Sequence, residues 1–147
     1  MARYTAGCLT SAGTSARPII SLYSATSSAG GAKIVEVGVT NTTTTAVALR
    51  LVRLSTRGTP GTALTESKHD PNSPAAVCEA FNTHTADATV SEDLGYRASL
   101  GASVGSGIIW NTDDLVLAKD ATGATGIGVI IENGTGQACQ AWITWEE

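Results

Sequence analysis

Between Gln137 and Trp145 the side chains alternate with a period of two. Cys139, Ala141, Ile143 and Trp145 fall on one side, and Gln140, Trp142 and Thr144 on the other. Successive side chains of an extended strand point to opposite faces, so this register belongs to a strand with one buried face. The same period recurs upstream. Val35, Val37 and Val39 share a side, partly with Lys33, against Ile34, Glu36, Gly38 and Thr40. Residues 46–55 (AVALRLVRLS) set Val47, Leu49 and Leu51 against Ala48, Arg50, Val52 and Leu54. An amphipathic helix fits the second spacing too, but the threonines before it and its β-branched content favour a strand. Asn41 and the threonines at 42–45 form a short polar link, which predicts that the two segments pair antiparallel. Shorter apolar runs follow at 107–110, 115–118 and 127–131. Asn133-Gly134 is a strong turn signal, so 127–131 and 138–145 are expected to form a hairpin.

The segments between these runs are turns and loops. Residues 57–62 (RGTPGT) mark a bend, and 63–74, polar and carrying Pro71 and Pro74, a long surface loop. Residues 75–81 (AAVCEAF) fit a short helix, with Pro74 where a first-turn proline is tolerated. The sum is seven or eight short strands with no repeat of 20–50 residues. That pattern is all-β, an antiparallel β-sandwich or barrel, and not a solenoid or propeller. A chain of 147 residues suits one domain with a real core. Residues 1–17 read as an extended N-terminal arm, small and polar over 5–16, that a neighbour would order. Residues 18–147 read as the sandwich.

Composition excludes several classes. Apolar residues reach 42% and net charge is only −4, which argues against disorder. No basic surplus exists to neutralise phosphates, so nucleic acid is not an expected partner. No apolar run approaches the roughly 20 residues of a membrane-spanning helix. The first residues lack the apolar stretch of a secretory signal and read as a mature start. The triplets Asn41-Thr42-Thr43 and Asn133-Gly134-Thr135 are then loop chemistry rather than glycosylation sites. Cysteines at 8, 78 and 139 are odd in number and far apart, which supports neither a disulfide framework nor a zinc site. Cys139 reads as a small buried hydrophobe.

The catalytic inventory is thin. Gly101-Ala102-Ser103-Val104-Gly105 fits the GxSxG nucleophile turn, but a strand-like region follows it and both histidines precede it. His69-Asp70 sits in a polar loop without a nucleophile nearby, and His84 lies among Asn82, Thr83 and Thr85, again a polar loop. Asp113, Asp114 and Asp120 lack EF-hand spacing and read, like Glu92-Asp93, as acids that solvate turns. No phosphate-loop motif occurs, and the glycines of 123–128 precede a strand. No catalytic residue, cofactor or metal is expected. If the Cys139 face is inward, Trp142 is outward. It then either anchors an interface or covers a second small cluster.

The runs EVGVTNTTTTAVALRLVRLS (36–55) and RGTPGT (57–62), with the opening ARY (2–4) and closing AWITWEE (141–147), resemble small β-sandwich virion proteins of tailed bacteriophages, especially phages of actinobacteria. The resemblance implies a jelly-roll-like domain that decorates and cements the capsid exterior, often as a trimer over local threefold positions. The expected partners are further copies of the chain and the major capsid protein, after synthesis in the host cytoplasm. No functional residue carries over individually. The candidate interface residues are Arg3, Tyr4, Arg17, Trp110 and Trp142. An alternative is a tail or fibre module in which Trp142 or Trp110 stacks on a host glycan. An enzyme built on Ser103 or His69 is a third.

Overall fold

The computed structural model describes residues 1–24 and 31–147. Among the described residues ten strands carry the fold: β1 (Arg3–Leu9), β2 (Ile20–Tyr23), β3 (Ala32–Asn41), β4 (Val47–Leu54), β5 (Ser67–Lys68), β6 (Glu79–Asn82), β7 (Val90–Leu100), β8 (Gly107–Leu117), β9 (Gly126–Asn133) and β10 (Cys139–Glu146). They form two five-stranded antiparallel sheets, ordered β5-β1-β10-β3-β8 (sheet 1) and β6-β2-β9-β4-β7 (sheet 2). The all-β sandwich is therefore present. The two sheets bury one main core between them, with Tyr4, Ile34, Val37, Val39 and Trp145 from sheet 1 against Leu22, Leu49, Leu51, Ile127 and Val129 from sheet 2.

Both expected hairpins are absent. β3 pairs with β10 and β8, whereas β4 pairs with β7 and β9; β9 and β10 likewise lie in different sheets. The links that looked like hairpin turns carry the chain across the core instead. Asn41 shows how. Its fully buried side chain donates to Thr45 O (2.7 Å) and Gly101 O (3.1 Å) and accepts from Thr43 N (3.0 Å), so it braces a corner between sheets. Inward burial of Asn41 also keeps its amide from serving as a glycosylation acceptor in the fold.

Residues 1–17 do not stand apart as an arm. Arg3–Leu9 pairs along its whole length with β10, and Tyr4 and Ala6 are buried in the core. The pairing supplies what the arm would have needed a neighbour for. No helix forms at 75–81. Ala80 enters the core and Glu79–Asn82 pairs with β2. The amides of Val77 and Cys78 bond the Glu147 carboxylate rather than a helical turn. Val35 leaves the valine face because β3 is irregular between Ile34 and Glu36, which puts Ile34 inward in its place. The run at 107–110 and residues 115–117 of the second run belong to one strand, β8, with the register shift between them.

The chain from 55 to 89 wraps sheet 2. It adds β5 to the edge of β1 and β6 to the edge of β2, and it covers the outer face with a second cluster of Tyr23, Val52, Leu54, Ala88 and Ile130. Arg57 is the clamp. Its guanidinium lies 5.0 Å from the Tyr23 ring centroid and 5.5 Å from that of Phe81, and it pairs with Glu79 at 2.6 Å. His84, expected in a polar loop, is buried in this cover. Its Nε2 shares a 2.8 Å hydrogen bond with Ser21 Oγ, and its ring lies 5.9 Å from that of Tyr23.

Burial pushes the His84 pKa from its ordinary 6.5 down to about 4, against a smaller opposing pull from the Arg57 main chain. The folded state therefore holds His84 neutral where the unfolded chain would protonate it. Its contribution to stability is complete above about pH 6.5 and falls away as pH drops towards 4, by about 3 kcal/mol in all. Urea unfolding between pH 8 and pH 4 should show this slope. In His84→Gln, which keeps a partner for Ser21, the slope between about pH 6.5 and 5 should disappear, leaving only the carboxylate titration closer to pH 4.

Candidate functional site

Two of the sequence-nominated interface residues, Tyr4 and Trp110, are buried, and Arg17 is exposed but ion-paired. Tyr4 is buried, stacks on Trp145 at 5.8 Å and donates its hydroxyl to Pro74 O at 3.0 Å. Burial raises its pKa, with a further push from the Glu147 charge. Trp110 is buried on the core side of β8, edge-on to Tyr96 at 6.5 Å. Neither presents a surface, and Trp110 cannot stack on a sugar. Arg17 pairs with Asp87 at 2.9 Å and fastens the 14–17 turn to the cover of sheet 2. Arg3 remains at the surface, paired with Glu146 across β1 and β10 at 2.5 Å. That ion pair, with Lys33 nearby, holds the Glu146 carboxyl below its ordinary range.

Trp142 is outward, and its surroundings define a face. In sheet 1 the register places Gly7 of β1, Trp142 of β10, Gly38 of β3 and Ile109 of β8 in one row across four strands. The indole lies over Gly38: a Cβ on that glycine would sit 2.0–2.5 Å from Cζ2, Cε2 and Cη2 of the ring. Only glycine leaves room for this. The ring is fixed at its edge as well, since Nε1 donates to Glu36 Oε1 at 2.5 Å. On the same face are Ile109 in the same row, Leu9 on β1, and Val116 further along β8 opposite Lys33, exposed by 51%, 57% and 54%. All three alternate with core residues and so share this outer face. Sheet 2 has part of its outer face covered by its own chain, and among the described residues none covers the outer face of sheet 1.

The chemistry weighed from the sequence does not converge. Ser103 lies exposed in the tight turn between β7 and β8, where Gly105 has φ +90°. His69 Nε2 shares a 2.8 Å hydrogen bond with Thr5 Oγ1 on the sheet surface. Asp120 is held well below the usual carboxylate range by the hydroxyls and amides of Thr122 and Thr125, so its oxygens are occupied in shaping a turn. Asp93 is depressed by the Gly95 amide and by Arg50 and Arg97. Among the described residues no three His, Cys, Asp or Glu side chains gather as metal ligands. A cleft of about 500 Å³ lies between Gly13–Ser15 and Ile131–Gly136, lined by small polar residues, glycines, Ile131 and Glu132. Burial raises the thiols of Cys8 and Cys139 to about 11, which keeps both protonated at neutral pH.

Sequence reasoning missed Leu9, Ile109 and Val116. Leu9 was readable in principle: Arg3, Thr5, Gly7 and Leu9 alternate with Tyr4, Ala6 and Cys8. Gly38→Ala should drive the indole off its seat at a cost of about 1–3 kcal/mol. Thermal unfolding and a red-shifted tryptophan emission would report it, while Gly101→Ala, whose added methyl meets only Ser106 Oγ at 3.6 Å, should change neither. No family model, no curated protein and no solved structure matches this chain.

Proposed function

We propose that this chain is a structural protein of a tailed-bacteriophage virion, which decorates and stabilises the capsid exterior and docks through the outer face of sheet 1. The observation that carries the reading is the open face around Trp142. A fold that packs Ala88 and Phe81 of its own chain against the outer face of sheet 2, yet leaves Trp142, Leu9, Ile109 and Val116 on the outer face of sheet 1, offers a surface for a protein partner. The strand order lends support. With β5 and β6 set aside as added edges, β1-β10-β3-β8 faces β2-β9-β4-β7, and we read this as the jelly-roll arrangement common in viral shell proteins. The resemblance of 36–62 and of both ends to virion proteins adds the expected partners: the major capsid protein and further copies of the chain, as a trimer.

The flat indole favours one second reading. A ring seated on glycine with its other side outward is also a sugar platform, so a tail or fibre module that binds a host glycan is the alternative. Cryo-electron microscopy of intact particles separates the two. The proposal expects this chain on the head shell, and its absence there would overturn it. In a binding assay on undecorated shells, Trp142→Ala combined with Leu9→Asp should weaken binding at least about tenfold, equivalent to 1.4 kcal/mol or more. Normal binding by that variant would remove this face from the docking surface.

A further inference from the structure

Most strand edges of the sandwich are guarded. β5 covers the edge of β1 and β6 covers that of β2. The free edge of β7 is broken by two register shifts against β4 and carries Glu92, Asp93 and Arg97. Bulges and charges of this kind discourage pairing. On β8, the C-terminal half is stopped at Val116, whose carbonyl accepts from Arg53 Nη1 at 2.8 Å. The other half, residues 107–111 (GIIWN), has neither charge, proline nor shift.

The pairing phase fixes which groups that half presents. Asn41 N donates to Ser106 O, and the register runs from Thr40↔Gly107 to Glu36↔Asn111. In an antiparallel ladder the bonded residues alternate, so Ile108 and Trp110 bond β3. Thr42 N donates to Ala138 O, which turns the even-numbered residues of β3 towards β10 and agrees with that phase. Gly107, Ile109 and Asn111 therefore point their N–H and C=O groups away from the sheet.

We propose that this edge is a docking site for a second copy of the same chain, paired antiparallel about a two-fold axis through Ile109. The segment complements itself in that register. Ile109 meets its own copy as a bonded pair, and Gly107 meets Asn111 of the second molecule on both sides of the axis, so that all the outward groups are used in about six hydrogen bonds. Gly107 gives the Asn111 side chain room. Asp113 and Asp114 fall opposite Gly105 and Val104 of the second copy, so no like charges meet. The two Ile109 side chains, half-exposed in the monomer, adjoin on the outer face of sheet 1. The pairing would join sheet 1 of both molecules into one continuous ten-stranded sheet.

Sedimentation velocity on the full chain from about 1 μM to about 1 mM tests this, read with amide hydrogen exchange. The expected result is a concentration-dependent dimer with slowed exchange at Gly107, Ile109 and Asn111. Ile109→Lys, and separately Ile109→Pro, which deletes only an outward N–H, should raise the dimer Kd at least about tenfold. Far-UV circular dichroism and the exchange of Ile108 and Trp110 should stay unchanged. Val116→Lys, on the guarded half, should dimerise as the parent does. A chain that stays monomeric throughout would overturn the proposal. So would association that survives both Ile109 variants, or fast exchange at the three amides in the associated form, which would assign the contact to another surface. Ile109 lies on both surfaces, so shell docking is read separately from the Trp142 and Leu9 variants, which leave residues 107–111 unchanged.

Discussion

The last two strands in sequence occupy the middle of the two sheets, and the rest of the fold hangs on that placement. β10 lies between β1 and β3, and β9 between β2 and β4. Each therefore forms ladders on both sides with segments more than 70 residues away. Gly126–Ile131 is buried without a break because sheet 2 has core on one face and its own wrap on the other. The main chains of Ala2 and Glu147 bond each other at 2.8 and 3.0 Å, which closes the end of the β1–β10 ladder. Pairings so distant in sequence demand that large loops close before they are rewarded, and a fold of this kind forms slowly compared with one built from local contacts.

This placement explains what was legible in the sequence and what was not. Periodicity tells which side chains share a face, so the inward set on β10 and the two faces of β4 could be read directly. It does not tell which strand lies alongside. Two strands joined by a short polar link looked like a hairpin in both places, because a turn of threonines or an Asn-Gly pair has the same composition whether it reverses within a sheet or crosses between sheets. Asn41 is buried as a bracket, and only three-dimensional context distinguishes that from a loop residue. Val35 was misplaced by a single irregularity that leaves no mark in composition. Tyr4 read as an interface candidate in an N-terminal arm and Trp110 as a second one, because the sequence does not show that β10 pairs with β1 or that Tyr96 packs against Trp110.

The candidate face was legible only in outline. The outward position of Trp142 followed from alternation on β10, but its seat on Gly38 depends on the β3–β10 register. Leu9 and Ile109 join the face only when β1 and β8 take their places in sheet 1. The buried His84 is the converse case: a polar neighbourhood in sequence becomes an apolar one when the 55–89 wrap closes over Ser21 and Tyr23.

The seating of Trp142 has one further consequence. An aromatic side chain free to rotate at a surface gives up conformers whenever something covers it, and that lost entropy subtracts from affinity. Here the glycine beneath and the Glu36 carboxylate at the edge have already selected one orientation in the isolated molecule. Whatever settles on the indole meets a rigid plank rather than a swinging arm, so covering it forfeits little rotational freedom.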